Sequence, residues 1–144
     1  MKPPLSSATM PGAQPQARTS TYVSRGLRIL AAVIFLAAGA AKLAGVPAMV
    51  QPFDQLGLGQ WFRIVTGIVE VIGGIAVLVP AAAFLGGLLL SATMVGALLA
   101  HSFVIEGSPV PALILLLITA AIAWLHRPGR WAASTGPSPV MPPA

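Results

Sequence analysis

Apolar residues fall into four blocks, Leu27–Val46, Trp61–Val79, Ala81–Val104 and Val110–Leu125, separated by short joints rich in proline, glycine or polar residues. At about 1.5 Å per helical residue, each block is long enough, or nearly so, to cross a hydrocarbon core about 30 Å thick; the fourth is the shortest. Proline marks the boundaries: Pro47 follows the first block, Pro80 parts the second from the third in a tight hairpin, and Pro109 and Pro111 open the fourth. A proline in the first turn of a helix costs no hydrogen bond. The pattern predicts an all-α bundle of four transmembrane helices spanning residues 27–46, 61–79, 81–104 and 110–125 within one domain, 22–131. Residues 1–21 and 132–144, rich in Pro, Ser, Thr and Ala without apolar periodicity, are expected to be disordered tails. In the joint from Pro47 to Gln60, Met49, Val50, Phe53 and Leu56 recur at helical spacing. They suggest a short interfacial or re-entrant helix kinked by Pro52, although a plain loop fits the same residues.

Composition settles the solvent. A chain of 144 residues that is 56% hydrophobic and 8% charged, with mean hydropathy +0.88, is an integral membrane protein rather than a soluble domain. Its net charge of +5 therefore reports topology, and nucleic acid is excluded as a partner. Lys2, Arg18 and Arg25 precede the first block and Arg28 stands at its start, while Arg127 and Arg130 follow the fourth. An even number of crossings brings both groups to one side, which the positive-inside rule makes the cytoplasm; both termini are predicted there, in a bacterial inner membrane. Trp61, Trp124 and Trp131 at the block ends suit interfacial anchors. A signal peptide with apolar region Ile29–Ala37 and an Ala38-Gly39-Ala40 cleavage site competes weakly, because Lys42 follows at once and the basic stretch before it is long.

Against that background Glu70 stands out as a lone acid halfway along the second block. A charge at the bilayer centre costs roughly 3 kcal/mol, so it faces a partner or a cavity. Counting along the helices places Lys42 and Glu70 at nearly the same depth, ~20 Å and ~17 Å from one membrane face, on antiparallel neighbours. An ion pair between them is expected. Arg63, Thr66, Gly67, Glu70, Gly73 and Gly74 share one face of the second block, while Ile68, Val69, Ile72 and Ile75 form a face for lipid. Two rows in the third block, Ala83, Gly87, Ser91 and Ala92, Gly96, Ala100, offer small residues for close packing on it. His101 and Glu106 fall near the same membrane face, giving a candidate polar cluster of Lys42, Arg63, Glu70, His101 and Glu106 that could bind a ligand or handle a proton. The alternative is an ion-pair network that fixes helix register, with a snorkelling Arg63.

The absence of cysteine removes thiol redox chemistry, thiolate metal sites and attached c-type haem. His101 and His126 fall at opposite membrane faces, so one chain cannot hold haem between them, and His126 beside Arg127 reads as an interface anchor. No metal-ligand spacing or phosphate-binding loop is present. No cofactor is expected to be intrinsic, and any redox role must borrow one.

The strings FLAAGAAKLAG (Phe35 to Gly45), FDQLGLG (Phe53 to Gly59), TGIVEVIGGIAVLVP (Thr66 to Pro80) and MVGALLAH (Met94 to His101) together resemble the DoxX-like family of small four-helix membrane proteins, over about 100 residues of the chain. The resemblance implies a compact four-helix bundle and, in some relatives, a small subunit of thiosulfate:quinone oxidoreductase or a membrane partner in redox and thiol-stress complexes. By it, Lys42, Glu70 and His101 carry over as the polar signature, whereas Arg63 and Glu106 join on depth alone. Three roles follow as expectations: a redox accessory subunit whose polar cluster binds a quinone head group through Glu70, Lys42 or His101, a non-catalytic assembly partner of other membrane or redox proteins, and a small proton-coupled transporter. In none is the chain expected to be a stand-alone enzyme.

Overall fold

The structure, a computed structural model, describes residues 15–128, with side chains described from residue 21 onward. Residues 1–14 of the tail expected at 1–21 and the whole of that expected at 132–144, together with Arg130 and Trp131, lie outside the described residues. The chain is all helical there: α1 (Pro15–Leu43), α2 (Pro47–Leu56), α3 (Gln60–Leu78), α4 (Ala83–Phe103) and α5 (Val110–Leu125), with no strand among the described residues. Helix α1 reaches back to Pro15, into the stretch assigned from composition to a tail. Three helical stretches, Thr21–Leu43, Gln60–Leu78 and Ala83–Phe103, are long and apolar enough to cross a membrane, and α5 is a shorter apolar helix of 16 residues.

Local chemistry sets the ends. Gly45, at φ +69°, stops α1 because its left-handed conformation lets the Gly45 amide reach the Lys42 carbonyl and the Val46 amide reach the Ala41 carbonyl, the pairing of a Schellman cap. This ends α1 at Leu43, three residues before the Val46 limit read from hydropathy. Pro47 then starts α2, which continues through Pro52 and ends on Gly57 at φ +70°. The joint between the first two spans is thus a helix. Pro80 closes α3: it holds Val79 extended, at φ −84° and ψ 117°, as a residue before proline prefers.

Helices α1, α3, α4 and α5 form a ring in which α1 lies on α3, α3 on α4 and α4 on α5, with a sparser α5–α1 contact closing it, while α2 lies chiefly against α3. Ala31, Ala32, Phe35, Val77, Leu90, Met94 and Ile122 fill the centre. Glycines permit the close crossings. A methyl group on Gly39 would lie 2.8 Å from the Gly67 carbonyl oxygen, and one on Gly86 would lie 2.8 Å from the Val77 nitrogen, so α1–α3 and α3–α4 meet backbone to backbone.

The glycine rows divide differently from expectation. Gly67 and Gly74 face α1, Gly73 faces Leu90 of α4, and Gly87 faces Thr119 and Ala123 of α5 rather than α3. The α4 row that meets α3 is offset by one residue because α4 must serve two neighbours. Ala92 and Gly96 are exposed, and nothing lies within 4 Å of the space beyond Gly96.

Outward-facing residues form an apolar belt, among them Val33, Ile68, Ile72, Ile75, Leu85, Leu88, Leu99, Leu113 and Leu117. A belt of this extent is incompatible with water and suits acyl chains.

Candidate functional site

Lys42 stands in the last turn of α1 and Glu70 near the middle of α3. The Lys42 Nζ donates to both carboxylate oxygens of Glu70, at 3.0 Å to Oε1 and 2.8 Å to Oε2. Glu70 is 2% exposed, and this is the one ion pair among the described residues. Its tightness follows from the crossing one turn away, since Gly39 and Gly67 each lie three residues before a member of the pair and bring the two backbones together there. A cation at a helix C-terminus is further favoured by the negative end of the helix dipole.

Around the pair runs a chain of hydrogen bonds. The Arg63 Nη1 donates to the Lys42 carbonyl, and its Nε donates to the Gln60 Oε1 at 2.6 Å. The Gln60 Nε2 in turn donates to the Asp54 Oδ1 of α2 at 2.6 Å. Polar contacts therefore lead from an exposed acid on α2 to the backbone of the half-buried lysine. Phe53 is buried under α2, edge-on to Phe62 with ring centroids 5.9 Å apart, and the Glu106 amide donates to the Gln55 Oε1 at 3.2 Å, tying the α4–α5 loop to α2.

Of the five candidate residues the structure joins three, Lys42, Glu70 and Arg63. Arg63 makes a structural bond to backbone rather than snorkelling outward. His101 stands in the last turn of α4 with its Nδ1 buried and without a hydrogen-bond partner. Among the described residues no hydrogen bond or ion pair links it, or the exposed Glu106 carboxylate, to the pair. No group of three or more His, Asp or Glu gathers as a metal site among the described residues.

Arg28 was counted in the sequence only as a topology charge, yet it is 9% exposed. Its Nε and Nη2 donate to the carbonyls of Val77 and Leu78 at the end of α3. These are among the last carbonyls of a helix, which lack intrahelical partners, and Pro80 has no amide to offer. A signal existed: Arg28, Ala31, Ala32 and Phe35 share one helix face, and all four are buried. At the same end the Ser24 Oγ lies 3.4 Å from the His126 Nε2, and the His126 Nδ1 lies 3.0 Å from the Ile122 carbonyl oxygen. His126 therefore ties α5 to α1. Thr119, fully buried, links α5 to α4 through the Ser91 Oγ at 2.9 Å.

A lipid-facing bundle with charges confined to helix contacts and ends defines an integral membrane protein. The family model described as the DoxX-like family matches residues 26–133, and the chain belongs to that family. Two Bacillus subtilis proteins are similar to it. "Putative oxidoreductase CatD" is 32% identical over 73 residues, covering 51% of this chain and 54% of CatD, so the match spans about half of that relative. "Uncharacterized protein YdgD" is 32% identical over 107 residues, covering 69% of this chain and 94% of YdgD. No solved structure matches the chain.

Proposed function

We propose that the chain is a multi-pass protein of the bacterial inner membrane, crossing it with α1, α3, α4 and α5, and that it serves as an accessory or assembly partner of a quinone-linked redox system. The observation that carries this reading is the Lys42–Glu70 pair, in which one ammonium occupies both carboxylate oxygens in a buried contact. Such a pair holds α1 and α3 in fixed register, which suits a scaffold. The outward Ala92 and Gly96 of α4 leave a small-residue surface on which a partner helix could approach closely. The redox connection comes from the relative whose name reads "Putative oxidoreductase". A transporter that cycles protons through Glu70 would need to break both bonds to Lys42 in each cycle, which weighs against that alternative.

A cytoplasmic location for both termini is part of this reading, supported by Arg25, Arg28 and Arg127 at one end of the bundle, against Lys42 and Arg63 accompanied by Asp54 and Glu106 at the other. The cysteine-free chain makes this easy to test: Thr21→Cys should be shielded from a membrane-impermeant thiol reagent added to intact spheroplasts, and Ser108→Cys labelled. The reverse pattern rejects the orientation.

The functional test is purification from native membranes in mild detergent, followed by identification of what remains bound and by thermal unfolding with a ubiquinone or menaquinone analogue. A redox protein enriched with the chain, or a quinone-dependent shift lost in Glu70→Gln, is expected. A chain that runs alone and shows no shift with either quinone sinks the proposal.

A further inference from the structure

A groove of about 270 Å³ runs between α4 and α5 at the end of the bundle remote from α2, walled by Phe84, Leu88, Ser91, Ala120, Ala123 and Trp124, with Arg127 at its mouth. The wall presents carbon almost throughout, since the Ser91 hydroxyl is turned inward to the Gly87 carbonyl and Thr119. Arg127 is held over the Trp124 ring, 4.1 Å from its centroid. Among the described residues it has no carboxylate partner, and the three acids of the chain lie on α2, on α3 and in the α4–α5 loop. The site thus joins an apolar slot at hydrocarbon depth to a positioned guanidinium at the level of a tryptophan anchor.

A ligand that complements it has an apolar chain and an anionic head. We propose that this groove binds an anionic phospholipid, one acyl chain lying between Phe84, Leu88, Ala120 and Ala123 and the headgroup phosphate resting on Arg127. Basic pockets between transmembrane helices are suited to such headgroups, and a guanidinium meets phosphate with a planar fork of donors. Stacking on Trp124 fixes the guanidinium in advance and reduces the ordering cost of binding. A zwitterionic lipid fits the slot equally well but brings its own ammonium to the arginine. The assignment is independent of the role proposed for the ion pair.

The test is native mass spectrometry of the full chain in mild detergent, titrated with phosphatidylglycerol or phosphatidylethanolamine of identical acyl chains. Retention of phosphatidylglycerol should exceed that of phosphatidylethanolamine by about five-fold, the ratio corresponding to about 1 kcal/mol for one basic residue near an anionic surface. Arg127→Gln should remove the preference and leave phosphatidylethanolamine unchanged, whereas Arg25→Gln, an exposed cation outside the groove, should keep it. Ala120→Phe, placed on an exposed position, should lower retention of both lipids, and Leu88→Trp does the same from the α4 wall if the first variant is poorly folded. Equal retention of the two lipids, a preference that survives Arg127→Gln, or one that Arg25→Gln removes equally would overturn the proposal. So would a dimer that Ala120→Phe dissolves, which would make the groove a contact between copies.

Discussion

The two ends of this bundle bury cations in different ways. Toward the α2 end, Lys42 meets a carboxylate, and the two charges satisfy each other inside the protein. At the other end, Arg28 meets no acid and spreads its donors over two carbonyls at the broken end of α3. What the two cations share is therefore partners for their donors rather than neutrality: an ammonium with a buried carboxylate needs its partner, whereas a guanidinium at a helix end can serve as a cap. The first arrangement is a pair whose halves depend on each other, and the second is a one-sided repair of a backbone defect caused by proline.

Five substitutions sharpen the contrast. The largest effect is expected for Lys42→Met, which strands the Glu70 carboxylate in a buried site and should cost about 3–5 kcal/mol of stability, read as thermal or denaturant unfolding in detergent. Arg28→Met should cost about 2–3 kcal/mol, since two carbonyls lose their donors at the low end of the roughly 1–3 kcal/mol range for each, the helix end being partly exposed. Arg28→Lys should recover only part of that loss, because a single ammonium lacks the fork. Full recovery by lysine would mean that charge, not geometry, matters at that end. Gly39→Ala should cost about 1–3 kcal/mol by forcing a methyl group against the Gly67 carbonyl and Val71. It should also raise the exposure of Lys42, measurable as faster acylation by an amine reagent. The smallest effect, about 0.6 kcal/mol, is expected for Thr119→Val, which breaks the α4–α5 hydroxyl contact.

Much of this was legible in the sequence for identifiable reasons. Lys42 and Glu70 could be matched because helical rise converts position into depth, and an isolated charge among apolar residues admits few partners. The apolar spacing of Met49, Val50, Phe53 and Leu56 pointed to α2, which continues through Pro52. Arg28 was missed because a basic residue before a span fits the topology count so well that its inward face went unused. The α4 rows were misassigned because small residues permit close packing without naming the neighbour: Gly87 and Ser91 turned out to serve α5. His101 was expected at a similar depth to the pair but has no bond to it, since depth fixes height along the bundle and leaves the direction around each helix undetermined.

A double-mutant cycle on Lys42 and Glu70 bears on the central claim most directly. Lys42→Met, Glu70→Leu and the combined variant would be unfolded alongside the parent protein in one detergent. Each single change should be strongly destabilising, and the combined variant should recover to within about 1 kcal/mol of the parent, because removing both charges leaves nothing unsatisfied. Additive losses, with the double variant as unstable as the sum of the singles, would contradict a mutual ion pair between α1 and α3.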